Sequence, residues 1–204
     1  WQEGHSSDAI QRLRLLVDRQ WSRPETQKCP LFTKAAGTLA LWSFSQRCSS
    51  INDIEALHTR VLESVSTRAP EESDADHRVR RAHATMEYAR FADTLYQQCA
   101  ERMGSEEWRT TESALAEKRK QLTILEGNSG DGLRRTAAAG TMKMNQLERE
   151  IRLLEQEVIH VNTGREKYYE TALKHYVDVL CLCGKYDVSA IFRLCALFFD
   201  GATL

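Results

Sequence analysis

Proline is almost missing from this sequence: three in 204 residues, Pro24, Pro30 and Pro70. Proline removes a backbone donor and breaks a helix interior. Its scarcity, and its confinement to the borders between periodic segments, leaves long stretches rich in Ala, Leu, Glu, Gln, Lys and Arg free to form unbroken helices. Charge of one sign is lacking too, since 28 Lys and Arg stand against 29 Asp and Glu, a formal net charge of -1. Phosphate backbones are bound by a concentrated basic face, so no direct nucleic-acid partner is expected and any link to DNA is indirect. The clusters Arg78-Arg80-Arg81, Lys118-Arg119-Lys120 and Arg134-Arg135 are each offset by nearby carboxylates, as on solvated helix faces. No uncharged apolar run approaches the about 20 residues that span a bilayer. The longest candidate, residues 176–182, is interrupted by Asp178, and no membrane insertion is expected. The first residue is Trp1, with no basic region and apolar core of a signal peptide after it, so the chain reads as excised from a longer polypeptide.

Catalytic motifs are also lacking. There is no Gly-x-Ser-x-Gly, His-Arg-Asp, Asp-Phe-Gly or His-Glu-x-x-His, and no expected strand to carry a phosphate-gripping lysine. Carboxylate pairs such as Glu148 with Glu150 or Glu155 with Glu157 sit on amphipathic stretches, where solubilising charge is the simpler reading than an acid and base pair. The six cysteines, Cys29, Cys48, Cys99, Cys181, Cys183 and Cys195, are unevenly spaced. They are expected to be reduced thiols serving as small core residues. Cys181 and Cys183 with His175 invite a metal, but positions two apart on a helix point about 200° apart, and no metal site is expected. The run Gly127-Asn128-Ser129-Gly130-Asp131-Gly132 has no Lys-Ser or Lys-Thr after it, so it reads as a hairpin tip and not a phosphate cradle.

What is present is helical periodicity. A first helix is expected over residues 8–21, capped by Ser6 or Ser7, with Ile10, Leu13, Leu16, Val17 and Trp21 inward. A second covers 31–48, in which Gly37 implies close packing, and a third covers 51–65 with Ile54, Leu57, Val61 and Leu62 on one stripe. An acidic linker, 70–76, leads to a fourth helix over 77–103. Gly104 stops it, Ser105 caps the next, and Glu106 and Glu107 complement that helix's dipole. Trp108, Leu115, Leu122 and Leu125 follow. Beyond the glycine-rich loop, Met144, Leu147, Ile151, Leu154, Val158 and Val161 step by alternating threes and fours, a seam for packing two long helices at a shallow angle. Gly164 is expected to break this helix. Another then runs over 165–183, and a last one over 188–199. Helix, turn, helix is the recurring unit, which predicts an all-α fold: an α-α superhelix of tandem hairpins, tetratricopeptide-like or armadillo-like, with a long coiled-coil-like hairpin over 105–162. Residues 1–80 form the N-terminal repeats in this reading and 81–204 the remainder.

Two phrases stand out. Phe192-Arg193-Leu194-Cys195-Ala196-Leu197-Phe198-Phe199 reads as a buried helix carrying one fixed charge, for which Arg193 needs a carboxylate or carbonyl partner. About a hundred positions upstream lies Tyr88-Ala89-Arg90-Phe91-Ala92-Asp93-Thr94-Leu95-Tyr96-Gln97-Gln98. Together, in that order, they resemble the FAT region of the ATM branch of phosphatidylinositol 3-kinase-related protein kinases, a branch that includes a fungal telomere-maintenance counterpart. The resemblance is best over residues 86–199. It rests on Tyr88, Arg90, Phe91, Asp93, Tyr96 and Gln97, and on Phe192, Arg193, Leu194 and Cys195.

The resemblance implies a helical solenoid that clamps a C-terminal Ser/Thr kinase domain and relays dimerisation or activator signals to it, in a nuclear protein serving double-strand break responses and telomere maintenance. The partners implied are that kinase domain, the neighbouring solenoid, protein activators and, in the parent, a second copy. ATP and magnesium would bind the parent's kinase domain, with no cofactor in this segment. Thr26-Gln27 and Ser45-Gln46 match the Ser/Thr-Gln motif such kinases prefer, making Thr26 an expected loop phosphosite, whereas Ser45 falls among apolar helix residues. A free-standing helical adaptor for a peptide partner is the alternative reading, and a zinc or redox enzyme a third.

Overall fold

A computed structural model describes residues 3–23, 29–128, 137–183 and 187–201. Among these are seven α-helices and no strand. They fall into two compact units, Trp1–Phe91 with Thr171–Leu204, and Ala92–Glu170.

In the first unit, α1 (Glu3–Trp21) and α2 (Pro30–Ser45) pack together, and α2 also packs on α3 (Ile51–Ser66). Ile10 and Val17 of α1, Phe32, Ala36 and Leu39 of α2, and Val61 and Val65 of α3 form the core, with Leu13, Trp21, Leu57 and Leu62 packed against it. Leu16, expected inward, is half exposed. Pro30 opens α2 at a position where its missing N–H costs nothing. The helix ends at Ser45 and not at Cys48, because Arg47 adopts a left-handed backbone at φ 50. There the Arg47 N–H donates to the Phe44 carbonyl at 3.1 Å and the Cys48 N–H to the Ser43 carbonyl at 3.2 Å, the pair of bonds that closes a helix whose following residue is left-handed. Gly37 has nothing within 4 Å of where a Cβ would stand, so the close packing expected there is replaced by open space. Ser50 caps α3 by accepting the Asp53 N–H at 3.1 Å.

The next helix, α4 (Asp74–Gly104), starts three residues ahead of the expected His77, since Ser73 accepts the Asp76 N–H at 3.1 Å and donates to Asp76 Oδ2 at 2.6 Å. Before it, Glu72 receives Arg80 through two bonds of 2.7 and 2.6 Å and the Ala69 N–H at 3.2 Å. This bidentate pair pins the acidic linker to the helix it precedes. The unit is completed by the end of α6 (Ala137–Cys183), where Ala172, Tyr176 and Val179 are buried, and by α7 (Val188–Gly201), where Ala190, Leu194 and Leu197 are buried. Asp187 accepts the Ala190 N–H at 3.0 Å at the start of α7.

The second unit holds the end of α4, all of α5 (Glu106–Asn128) and most of α6. Ser105 caps α5 by accepting the Trp108 N–H at 3.1 Å. Leu95, Tyr96, Trp108, Leu115, Leu147, Ile151 and Val161 are buried here. Ion pairs link α5 to α6, Lys118 to Glu150 at 2.5 Å and Arg119 to Glu155 at 2.6 Å, and Arg102 of α4 reaches Glu157 at 2.5 Å. These side chains are largely solvated, so the pairs set register more than stability. Gly164 does not break the chain: α6 is one helix of 47 residues. A single interior glycine costs about 1 kcal/mol, too little to end a helix that continues into Arg165, Glu166 and Lys167. The glycine-rich tip expected over 127–132 falls mostly outside the described residues.

Candidate functional site

Tyr88, Arg90 and Phe91 lie on α4 in the first unit. The Tyr88 ring stacks on His58 of α3 with centroids 5.2 Å apart, and lies 4.8 Å from His175 of α6. Phe91 is 4.9 Å from the His58 ring and meets Phe44 of α2 edge-on at 5.0 Å. The two signature aromatics thus tie α4 to α2, α3 and α6. Burial pushes the His58 imidazole down to about 4 from an ordinary 6.5, which keeps the ring neutral within the stack. Burial also lowers His175, against the opposing pull of Asp178. His175 Nδ1 is 3.5 Å from Asp178 Oδ2, too far for a good hydrogen bond, and has no hydrogen-bond partner. Arg90 points outward and pairs with Glu87 at 3.4 Å. Neither histidine was singled out in the sequence as a partner of the signature. The stack joins residues 30 and 87 positions apart from Tyr88, for which single-chain periodicity carries no signal.

Asp93, Tyr96 and Gln97 belong to the second unit. Asp93 and Tyr96 are buried, and Gln97 donates to Asp93 Oδ1 at 3.2 Å. Tyr96 lies 5.6 Å from the Tyr169 ring, with the Arg165 guanidinium 5.9 Å from its centroid. Cys99, nearby on α4, has its thiol pKa raised by burial, against the opposing effect of Arg102 and Arg165.

The second phrase corrects its sequence reading. On α7 Leu194 is buried, but Phe192 is 71% exposed, Phe198, Phe199 and Cys195 are exposed too, and Arg193 is half-buried. A helix buries one stripe, and α7 carries apolar residues on two, so it is two-faced and not a buried rod with a single charge. None of the six cysteines is buried: Cys29 and Cys99 are half-buried, and Cys48, Cys181, Cys183 and Cys195 are exposed. Ser45, expected among apolar residues, is exposed and donates to the Leu41 carbonyl at 2.9 Å. Thr26 lies outside the described residues.

Between α2, α3 and the start of α4 lies a groove of about 1130 Å³. Its walls are mainly apolar, with Leu41, Val61 and Val79 prominent, and its polar edge includes Lys34, Glu71, Asp76 and Glu87. The Glu72–Arg80 pair also lines it, and the guanidinium holds the Glu72 carboxyl down at about 2. Thr33 and Ser64 share a hydrogen bond of 3.3 Å behind it. Such an arrangement offers apolar contact and charge pairing, which suit binding. Among the described residues no group of three His, Cys, Asp or Glu side chains could hold a metal ion, and no helix is long and apolar enough to cross a membrane.

The chain is 23% identical over 124 residues to the serine/threonine-protein kinase ATM of Arabidopsis thaliana. The match takes in 61% of this chain and 3% of that kinase, so the chain spans a small fraction of that relative's length. No protein-family model matches.

Proposed function

We propose that this all-helical chain is a non-catalytic regulatory segment of an ATM-type Ser/Thr kinase, of FAT type, that clamps the kinase domain and relays activator or dimerisation signals to it. The observation that carries the reading is the distant match to a segment of a kinase more than an order of magnitude longer. Two further features support it. The signature residues Tyr88 and Phe91 are spent on packing four helices together, as in a scaffold. The exposed aromatic face of α7 suits burial against a neighbouring helical pair, the way tandem repeats share apolar surface in a superhelix. The kinase domain and adjoining solenoid of the same polypeptide are then the partners, and ATP and magnesium act in that domain. A nuclear role in DNA-damage signalling and telomere maintenance follows from the kinase class. Regulation works by population shift: an activator that prefers one packing of the helices moves the kinase toward it by its differential affinity.

The second reading, a free-standing adaptor, is favoured by the groove beside α2. The coding sequence beyond Leu204 separates the two. A kinase catalytic loop and Asp-Phe-Gly downstream are expected, and a stop codon directly after Leu204 would leave the adaptor.

A further inference from the structure

α2 is apolar almost all round. Of its 16 residues, PLFTKAAGTLALWSFS, only Lys34 is charged. A helix of this composition is ordinarily covered on every side, yet Leu41 is 48% exposed, and Gly37 opens onto empty space. The groove of about 1130 Å³ runs beside this bare face. Its charges are sorted by wall. Lys34 stands on the α2 side, whereas Glu71, Asp76 and Glu87 belong to the linker and α4. Glu72 and Arg80 neutralise each other at 2.6 Å. Glu87 is engaged by Arg90 at 3.4 Å, so Glu71 and Asp76 carry the negative charge of the α4 side. The walls described are helices and a linker, an apolar groove of the kind that takes the apolar face of an amphipathic helix.

We propose that this groove docks an amphipathic helix of a partner protein, its apolar stripe packed on Leu41 and Val79 and its flank of lysine or arginine facing Glu71 and Asp76. The Gly37 notch admits a bulky apolar side chain of that helix between the turns of α2. Charge complementarity sets the orientation, because reversing the helix would bring its cations against Lys34. The site stands whether or not the chain is part of a kinase.

The test uses the 204-residue chain and two fluorescent designed helices of about 18 residues, five turns long. Both carry leucines at three-four spacing, one with lysines along a flank and the other with glutamates there. The lysine helix should bind at least about tenfold more tightly, and Leu41→Lys, at a half-exposed position the fold tolerates, should weaken it about tenfold with unchanged circular dichroism. The double variant Glu71→Lys, Asp76→Lys should reverse the preference between the two helices. Equal binding of both helices, or native affinity in both variants, would overturn the proposal. So would self-association of the chain that Leu41→Lys abolishes, since a second copy would then be the occupant.

Discussion

His58 is a residue through which pH reaches this fold. Its ring packs against both Tyr88 and Phe91, 4% exposed, with its pKa pushed down to about 4 from 6.5. The unfolded chain takes up the proton near 6.5 and the folded one only near 4. Between those values the unfolded state holds more protons, so the stability present above pH 6.5 is lost as pH falls toward 4. Unfolding by urea should show roughly 2 to 3 kcal/mol less stability from this group at pH 4.5 than at pH 7.5. His58→Phe, which keeps the ring and removes the titration, should flatten that part of the slope. An unchanged slope in the variant would refute the buried neutral imidazole. Tyr88 and Phe91 were picked out by the family resemblance alone, and their histidine partners were not legible at all, because stacking is settled by which helices meet. The cysteines misled for a related reason. A general tendency of Cys toward the interior says nothing about which helix face Cys181, Cys183 or Cys195 occupies. The end of α2 was hidden because Arg47, and no glycine, takes the left-handed position.

Among the helices, α6 is where sequence and structure part most clearly. Gly164 reads as a stop, yet the helix passes through it. A Cβ there would stand 3.6 Å from Cys99 Sγ and 3.9 Å from a Tyr168 ring carbon, both ordinary contacts. Gly164→Ala should therefore stabilise the protein by about 1 kcal/mol, the helix preference of alanine over glycine. Urea midpoints of the two proteins measure this, and a loss of stability would mean that the backbone at 164 is not helical. Ser6 and Ser7, expected to cap the first helix, lie inside α1, and the Ser50 cap was not foreseen, whereas the Ser105 cap was legible because its hydrogen bond is local. Breaks were less so, since one glycine weakens a long helix without ending it. The apolar run of α7 showed that a helix forms but not how much of it is covered. Two apolar stripes on one rod look the same in sequence whether both are buried or only one.

At the scale of the whole molecule, each of the two units has its own buried residues, and charges of the two signs nearly balance. All-α class followed directly from sparse proline and three-four periodicity. The groove beside α2 did not, because it is a space that no residue announces. In the proposed role this segment governs a kinase through its packing, with the chemistry carried out in the kinase domain. Leu194→Asp buries a carboxylate in α7 and should cost roughly 3 kcal/mol, whereas Phe192→Asp, on the exposed face, should change stability by less than about 0.5 kcal/mol. The most direct measurement is phosphate transfer by the full-length protein, wild type against Leu194→Asp, beside the 204-residue chain alone. Disturbed regulation in Leu194→Asp and no transfer by the chain alone is the predicted result; transfer by the chain alone, or native regulation in the variant, would contradict it.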